Sequence, residues 1–453
     1  MSTTVRTVLT ALSAAAVLAT AGCATGTTTA ATGSGDPVPE LSADQQVEIT
    51  FESYNLLQAG AWSDTVHSLI DEFEAQHPNI SVQAQPTQGG STDNGATASS
   101  VQTQLLAGNP PDVAQLTFDA LDFTVNELGA VPVDAIAGAD VVDEHLGGEH
   151  PFHPNAAGLA DWEGTTVGIP YVFSTPVLFY NASVLEAAGL PTDTDLSTWD
   201  AVADAARAAT EHLGRPALTV SCAVKGGNWC MQGLFRSAGG AVLSDDRETI
   251  EFASDDSLDA VHMLRELYDE GVLENASSAT MMESFGKGQS AIQLQTSALQ
   301  SSYLAAADAG GWELRAAAMP AFDGKDAVPT NSGSALFVFS QDPAEQRAAW
   351  ELISFLTSDH AYEKISTGIG YLPLRTSLTE DGGALKDWVD SLPVVRPNLD
   401  QLDTMEPWTS YPGNSYVQVD TVLADAIEQS VFYGKDPEAT MRAAAERAQQ
   451  LIS

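Results

Sequence analysis

From Val47 the chain alternates apolar and polar residues. Val47, Ile49 and Phe51 share one face, which is the period of a half-buried strand. The period then lengthens: Trp62, Val66, Leu69, Ile70 and Phe73 recur at helical spacing. Pro78 and Asn79 interrupt the pattern, and Ile80, Val82 and Ala84 resume the alternation. Strand, helix and strand in so short a stretch predict a βαβ unit, hence a parallel sheet with a right-handed crossover.

The same alternation continues along the chain. Helices are predicted over Thr198–Leu213, Ser257–Tyr268, Ala344–Leu356 and Pro437–Ile452, the last two with proline in or beside the first turn. Strands are predicted over Val177–Tyr180, Ala291–Leu294 and Ala335–Phe339. The fold class is therefore α/β. At 453 residues the chain exceeds what one sheet and one core usually take, so two lobes are expected. No internal repeat is present.

Composition narrows the function. Hydrophobic residues make up 44% of the chain, enough for a sizeable core. Against 18 basic residues stand 61 acidic ones, a net charge of −43. This excludes a nucleic-acid binder, which needs a basic footprint, and reads as a well-solvated surface.

The first residues form a separate signal. Arg6 precedes an apolar run from Val8 to Ala19 that is too short to span a bilayer and suits a signal-peptide core. Thr20-Ala-Gly-Cys23 resembles a bacterial lipobox, with Cys23 as the lipidated first mature residue; Thr20 replaces the usual leucine there. Residues 24–46, rich in Thr, Ala, Gly, Ser and Pro, read as a flexible tether. In an exported chain, Cys222 and Cys230 suggest a local disulfide, with two buried thiols as the alternative.

Catalytic and metal signatures are missing. The sequence holds no GxSxG elbow, phosphate loop, HExxH or GxGxxG. Asp143, Glu144, His145, Glu149, His150 and His153 crowd one stretch, but glycines and prolines break it into a solvated loop rather than a metal site. We expect no cofactor, no metal and no catalytic residue.

Six segments in order carry a family likeness: Asp71-Glu-Phe-Glu-Ala-Gln-His-Pro-Asn-Ile-Ser-Val82, Gly108-Asn-Pro-Pro-Asp-Val113, Ser174-Thr-Pro-Val-Leu-Phe-Tyr-Asn181, Ala188-Gly-Leu190 with Thr198-Trp-Asp200, Phe285-Gly-Lys-Gly-Gln-Ser-Ala-Ile292 and Gly368-Ile-Gly-Tyr-Leu-Pro-Leu-Arg375. Together they resemble the extracellular solute-binding proteins of family 1. The resemblance implies a two-lobed periplasmic-binding-protein fold of type II, with the ligand in the cleft between lobes. It also implies a role as the binding component of an ATP-driven importer. On this reading residues 1–22 are the leader and 23–46 the tether. Residues 47–173 form lobe 1, to which 335–392 return, and 176–333 form lobe 2, to which 393–453 return. The chain would cross between lobes near Phe173–Thr175 and Gly333–Ala335.

Within that family the likeness leans toward glycerol-3-phosphate and glycerophosphodiester binders and their sugar-binding relatives. It implies ligand contacts from Asp119, Ser174, Trp229, Ser297 and Tyr371, and a hinge role for Gly333. Tyr54, which ends the first strand, Tyr416 and Asp420 are further candidates. The phosphate binders place an arginine before the late helix, whereas this chain has no Arg or Lys between Arg396 and Lys435. Tyr416 and Asp420 stand there instead. A phosphate wants a guanidinium and a hydroxyl is well served by a carboxylate, so the expected ligand is a neutral sugar or polyol. Lys225 and Arg375 keep a phosphodiester open as the alternative. The expected partners are the membrane permease subunits of an importer and, through the lipid, the membrane; the expected state is a monomer.

Overall fold

A computed structural model describes residues 36–90 and 95–453. The leader and Cys23 lie outside the described residues. The expected βαβ unit is present. Strand β1 (Val47–Ser53) buries Ile49 and Phe51, and the helix Ala61–Gln76 buries Val66, Leu69, Ile70 and Phe73. β2 (Ile80–Pro86) then pairs parallel to β1, Val47 opposite Ile80 and Phe51 opposite Ala84. β3 (Val113–Thr117) joins the other side of β1, also parallel.

A small hairpin, β4 (Asp161–Trp162) and β5 (Thr165–Thr166), precedes β6 (Ile169–Ser174), every residue of which is buried. One connecting residue, Thr175, separates β6 from β7 (Pro176–Asn181), which belongs to a different sheet. There β7 lies between β10 (Leu314–Ala318) and β9 (Ile292–Thr296), both antiparallel to it, and β8 (Leu218–Val220) runs parallel to β9. The chain then returns to the first sheet. β11 (Ser332–Val338) inserts between β3 and β6, antiparallel to both. The two sheets thus run in the orders β2-β1-β3-β11-β6 and β10-β7-β9-β8.

Each sheet has its own helices. The helix Pro343–Leu356 packs on β1 beside the helix Ala61–Gln76, and the helices Tyr416–Val431 and Pro437–Ile452 pack together against the helix Asp255–Asp269. The helix starts follow from local chemistry. Thr198, Ser254, Asp342 and Asp436 each cap a helix by accepting from a first-turn N–H, and prolines 343 and 437 occupy first-turn positions whose N–H has no partner within the helix.

Two expectations change. The segment assigned as tether is held from Pro37 onward: Val38 N–H donates to the Ile136 carbonyl at 2.9 Å, and Val38 and Leu41 pack on the core. These apolar residues are too sparse to show a period, which is why composition alone reads them as linker. Gly333 lies inside β11, paired with Phe173, so the second passage between sheets occupies the residues between Ala318 and Ser332.

Candidate ligand cleft

The passage at Thr175 is tied down from several sides. Its N–H donates to Ser297 Oγ at 3.2 Å and its hydroxyl to Asn398 Oδ1 at 3.0 Å. Gln401 Nε2 donates to Thr175 Oγ1 at 2.6 Å and to the Pro176 carbonyl at 2.9 Å. Close by, Gly333 has φ +118°, and a Cβ there would lie 2.0 Å from the Val172 carbonyl oxygen, so only glycine fits.

A cavity of about 430 Å³ opens beside this passage, lined by residues from both sheets' ends. Its walls are aromatic: Tyr54, Trp62, Trp229, Tyr371 and Trp408. Trp62 and Tyr371 meet edge to face at 5.1 Å, and Tyr371 OH donates to Asn55 Oδ1 at 3.5 Å. Tyr54 OH donates to Ser334 Oγ at 3.2 Å. Between the rings lie small neutral polar groups, among them Thr97, Thr117, Ser174, Gln295 and Thr296, with Thr296 Oγ1 donating to Ser174 Oγ at 2.8 Å. A larger hollow of about 620 Å³ lies at Gly239–Ala241 and Arg442, but it is wide open and has no aromatic wall. The first cavity has the concave, aromatic and sparsely polar character of a small-molecule site.

At one end the cleft abuts a buried polar cluster. Asp119 follows β3, is 4% exposed, and its Oδ1 has no hydrogen-bond partner. Burial and the charge of Asp420 push its carboxyl up to about 7. Asp420 accepts from Asn228 Nδ2 at 2.7 Å. The hydroxyls of Tyr411 and Tyr416, also buried, lack partners, and both feel the two carboxyls. Gly95 borders the cavity with φ +78°, where a Cβ would come 2.9 Å from Tyr416 OH.

The predicted site residues therefore fall into three groups. Tyr54, Ser174, Trp229 and Tyr371 line the cavity, and Asp119, Tyr416 and Asp420 form the polar cluster at its end. Ser297 and Gly333 do neither: Ser297 is fully buried and closes the turn at Thr175, and Gly333 serves backbone approach. The first displacement has a local cause: Ser297 opens the tight turn that follows β9, and its hydroxyl accepts from the Thr175 N–H. Trp62, Trp408 and Tyr411 escaped the sequence reading. Trp62 shares the helical period with core residues, and the other two sit in a stretch without periodicity.

The two basic candidates for a phosphate are both engaged. Arg375 is buried away from the cleft, donating to the carbonyls of His145 at 2.7 Å, His150 at 2.6 Å and Thr357 at 3.2 Å. Lys225 lines the cavity but is ion-paired with Asp425. The histidine-rich stretch, expected as a solvated loop, is in part helical: Asp143, Glu144 and His145 end the helix Ala139–Leu146, His145 is bonded to Thr357 at 2.7 Å, and His150 pairs with Asp359 at 2.5 Å. Among the described residues no cluster of three or more potential metal ligands occurs, and no helix is long and apolar enough to cross a membrane. The disulfide Cys222–Cys230 is formed, beside Trp229.

Comparison with known proteins gives this geometry its setting. A family model described as bacterial extracellular solute-binding protein matches residues 68–393. An uncharacterized ABC transporter extracellular-binding protein of Pyrococcus horikoshii is 34% identical over 84 residues, a match spanning only 18% of each chain. Among solved structures, UgpB from Mycobacterium tuberculosis in complex with glycerophosphocholine superposes with a TM-score of 0.75 at 21% identity, over 89% of this chain and 98% of that one. Maltose-bound MalE3 of T. maritima gives 0.74 at 20%, over 89% and 100%. The cyclic alpha-maltosyl-1,6-maltose binding protein of Arthrobacter globiformis gives 0.73 at 19%, over 90% and 99%. At such identities the superpositions establish the two-lobed fold, and the family match over most of the chain establishes the rest: this chain belongs to the bacterial extracellular solute-binding proteins.

Proposed function

We propose that the protein captures a carbohydrate without a phosphate group in the cleft between its lobes and delivers it to the membrane subunits of an ABC importer. The observation that carries this reading is the wall of five aromatic rings interleaved with uncharged hydroxyl and amide groups. Such rings stack on the apolar faces of sugars, and the polar groups between them fix the hydroxyls. Tyr54, Ser174, Trp229 and Tyr371 contact the ligand, with Asp119, Tyr416 and Asp420 at the polar end. Lobe 1 comprises residues 47–173 and, from the start of β11, 332–392, lobe 2 residues 176–331 and 393–453, and the ligand draws the two together. The exported chain is a monomer held at the membrane by lipid on Cys23, and it binds without chemistry.

A glycerophosphodiester is the competing ligand, because Lys225 reaches the cavity rim. That ammonium is already matched by Asp425, and a phosphate deeper in the cleft would meet Asp119 and Asp420. An anion buried there without a paired cation costs several kcal/mol. A thermal-shift screen separates the readings. Ligand at 100 times its dissociation constant adds about 2.7 kcal/mol to stability. Mono- and oligosaccharides are expected to raise the melting temperature, while glycerol 3-phosphate and glycerophosphocholine are not. A shift with the phosphate esters alone would overturn the proposal.

A further inference from the structure

The polar end of the cleft is richer in acid than a sugar hydroxyl requires. Asp119 stands just after β3 and Asp420 on the helix Tyr416–Val431, and Asp119 feels the charge of Asp420. Asp119 Oδ1, Tyr411 OH and Tyr416 OH are all buried and without hydrogen-bond partners, yet they share the same electrostatic neighbourhood. Asp420 is fixed by Asn228. Tyr54 borders the cluster from the first lobe. The nearest guanidinium groups are committed elsewhere: Arg236 binds Glu406 at 3.1 Å and Thr409 Oγ1 at 2.6 Å, and Arg247 binds Asp122 at 3.0 Å.

We propose that Asp119 and Asp420, with the hydroxyls of Tyr411 and Tyr416, form a subsite for a protonated primary amino group on the ligand, so that the cleft prefers an aminated sugar to its neutral counterpart. This rests on the carbohydrate reading of the cleft. Two carboxyls and two phenolic oxygens are a set of acceptors, and a primary ammonium brings three N–H donors to meet them. A neutral hydroxyl brings one donor and leaves the two acids repelling each other. An ammonium placed between them offsets that repulsion and favours the ionised form of both. Asp119, held partly protonated near neutrality by burial and by Asp420, then gives up its proton when the ammonium enters. A trimethylammonium group has no N–H to offer and does not satisfy these oxygens.

Titration calorimetry near pH 7, in two buffers of different ionisation enthalpy, tests this with matched pairs: glucosamine against glucose, and the free-amine chitobiose against its N-acetylated form. The amine of at least one pair is expected to bind about 10-fold tighter or more, with release of roughly half a proton per complex, as a group titrating near 7 requires. The neutral member should release none. Asp420→Asn, which is half-buried and checked for folding by circular dichroism, should reduce the preference to about 3-fold or less. Asp119→Asn should abolish the proton release that accompanies binding of the amine. Neutral sugars binding as tightly as their amines would overturn the subsite and leave the carbohydrate reading intact. No response to either member of either pair, with binding of a phosphate ester instead, would overturn both.

Discussion

Trp62 and Asp119 show how differently two residues of one cleft are constrained. Trp62 sits in the first turn of its helix, half-buried, in edge-to-face contact with Tyr371 and lining the cavity. Trp62→Ala is expected to weaken ligand binding by about 1–1.5 kcal/mol, near 10-fold, and to lower the stability of the empty protein by less. Trp229 is 6% exposed and packs within the core, so its truncation would cost stability as well, and the two variants compared by calorimetry and melting separate wall from core. Asp119 carries a pH signature. Its carboxyl stays protonated in the folded protein up to about 7, whereas in the unfolded chain it ionises near 3.9. Between those values the folded state holds the extra proton, so this group's contribution is full below about pH 4 and is lost as pH rises through 7. Asp119→Asn should therefore gain stability relative to the parent at pH 8, with the gain shrinking toward pH 5 in urea unfolding. A gain equal at both values would contradict a buried, proton-holding Asp119.

At the scale of elements, the strands beside the passages between the two sheets carry the tightest demands. Gly333→Ala would force a Cβ into the Val172 carbonyl at a φ that side chains avoid, and should destabilise by about 2 kcal/mol or more in chemical denaturation. Breaking Cys222–Cys230 by substitution of both with serine should cost about 2–3 kcal/mol, since the bond closes a short loop at the base of Trp229. Most elements were legible because their periods are clean. The β1–helix–β2 unit and the four long helices begin and end within a few residues of where their apolar spacing and caps put them. The cavity lining was legible where a motif pointed to a residue at a strand end, as at Ser174, and less so where a neighbour shared the motif, as at Ser297. Tyr411 and Trp408 were illegible for a physical reason. They lie in irregular chain fixed by distant partners, such as Asn331 Oδ1, which accepts from Trp408 N–H at 2.8 Å, and no local pattern encodes such contacts.

For the whole molecule, a strongly acidic two-lobed body follows the segment proposed as leader and lipid anchor. Removal of the leader proposed at residues 1–22 would take away Arg6 and no acid, making the chain one unit more negative. Cys23→Ala should move the protein from the membrane fraction to the soluble extracytoplasmic fraction, because the acidic body has no attraction of its own for an anionic lipid surface. Retention after a salt wash would contradict lipid anchoring. The central claim, that this cleft takes sugars and not phosphate esters, is tested most directly by equilibrium dialysis of the protein against a mixture of oligosaccharides, amino sugars and glycerophosphocholine, with the bound fraction identified by mass spectrometry. The account predicts that a carbohydrate is retained at one molecule per chain and recovered chemically unchanged. Retention of glycerophosphocholine with every sugar left in the dialysate would contradict it.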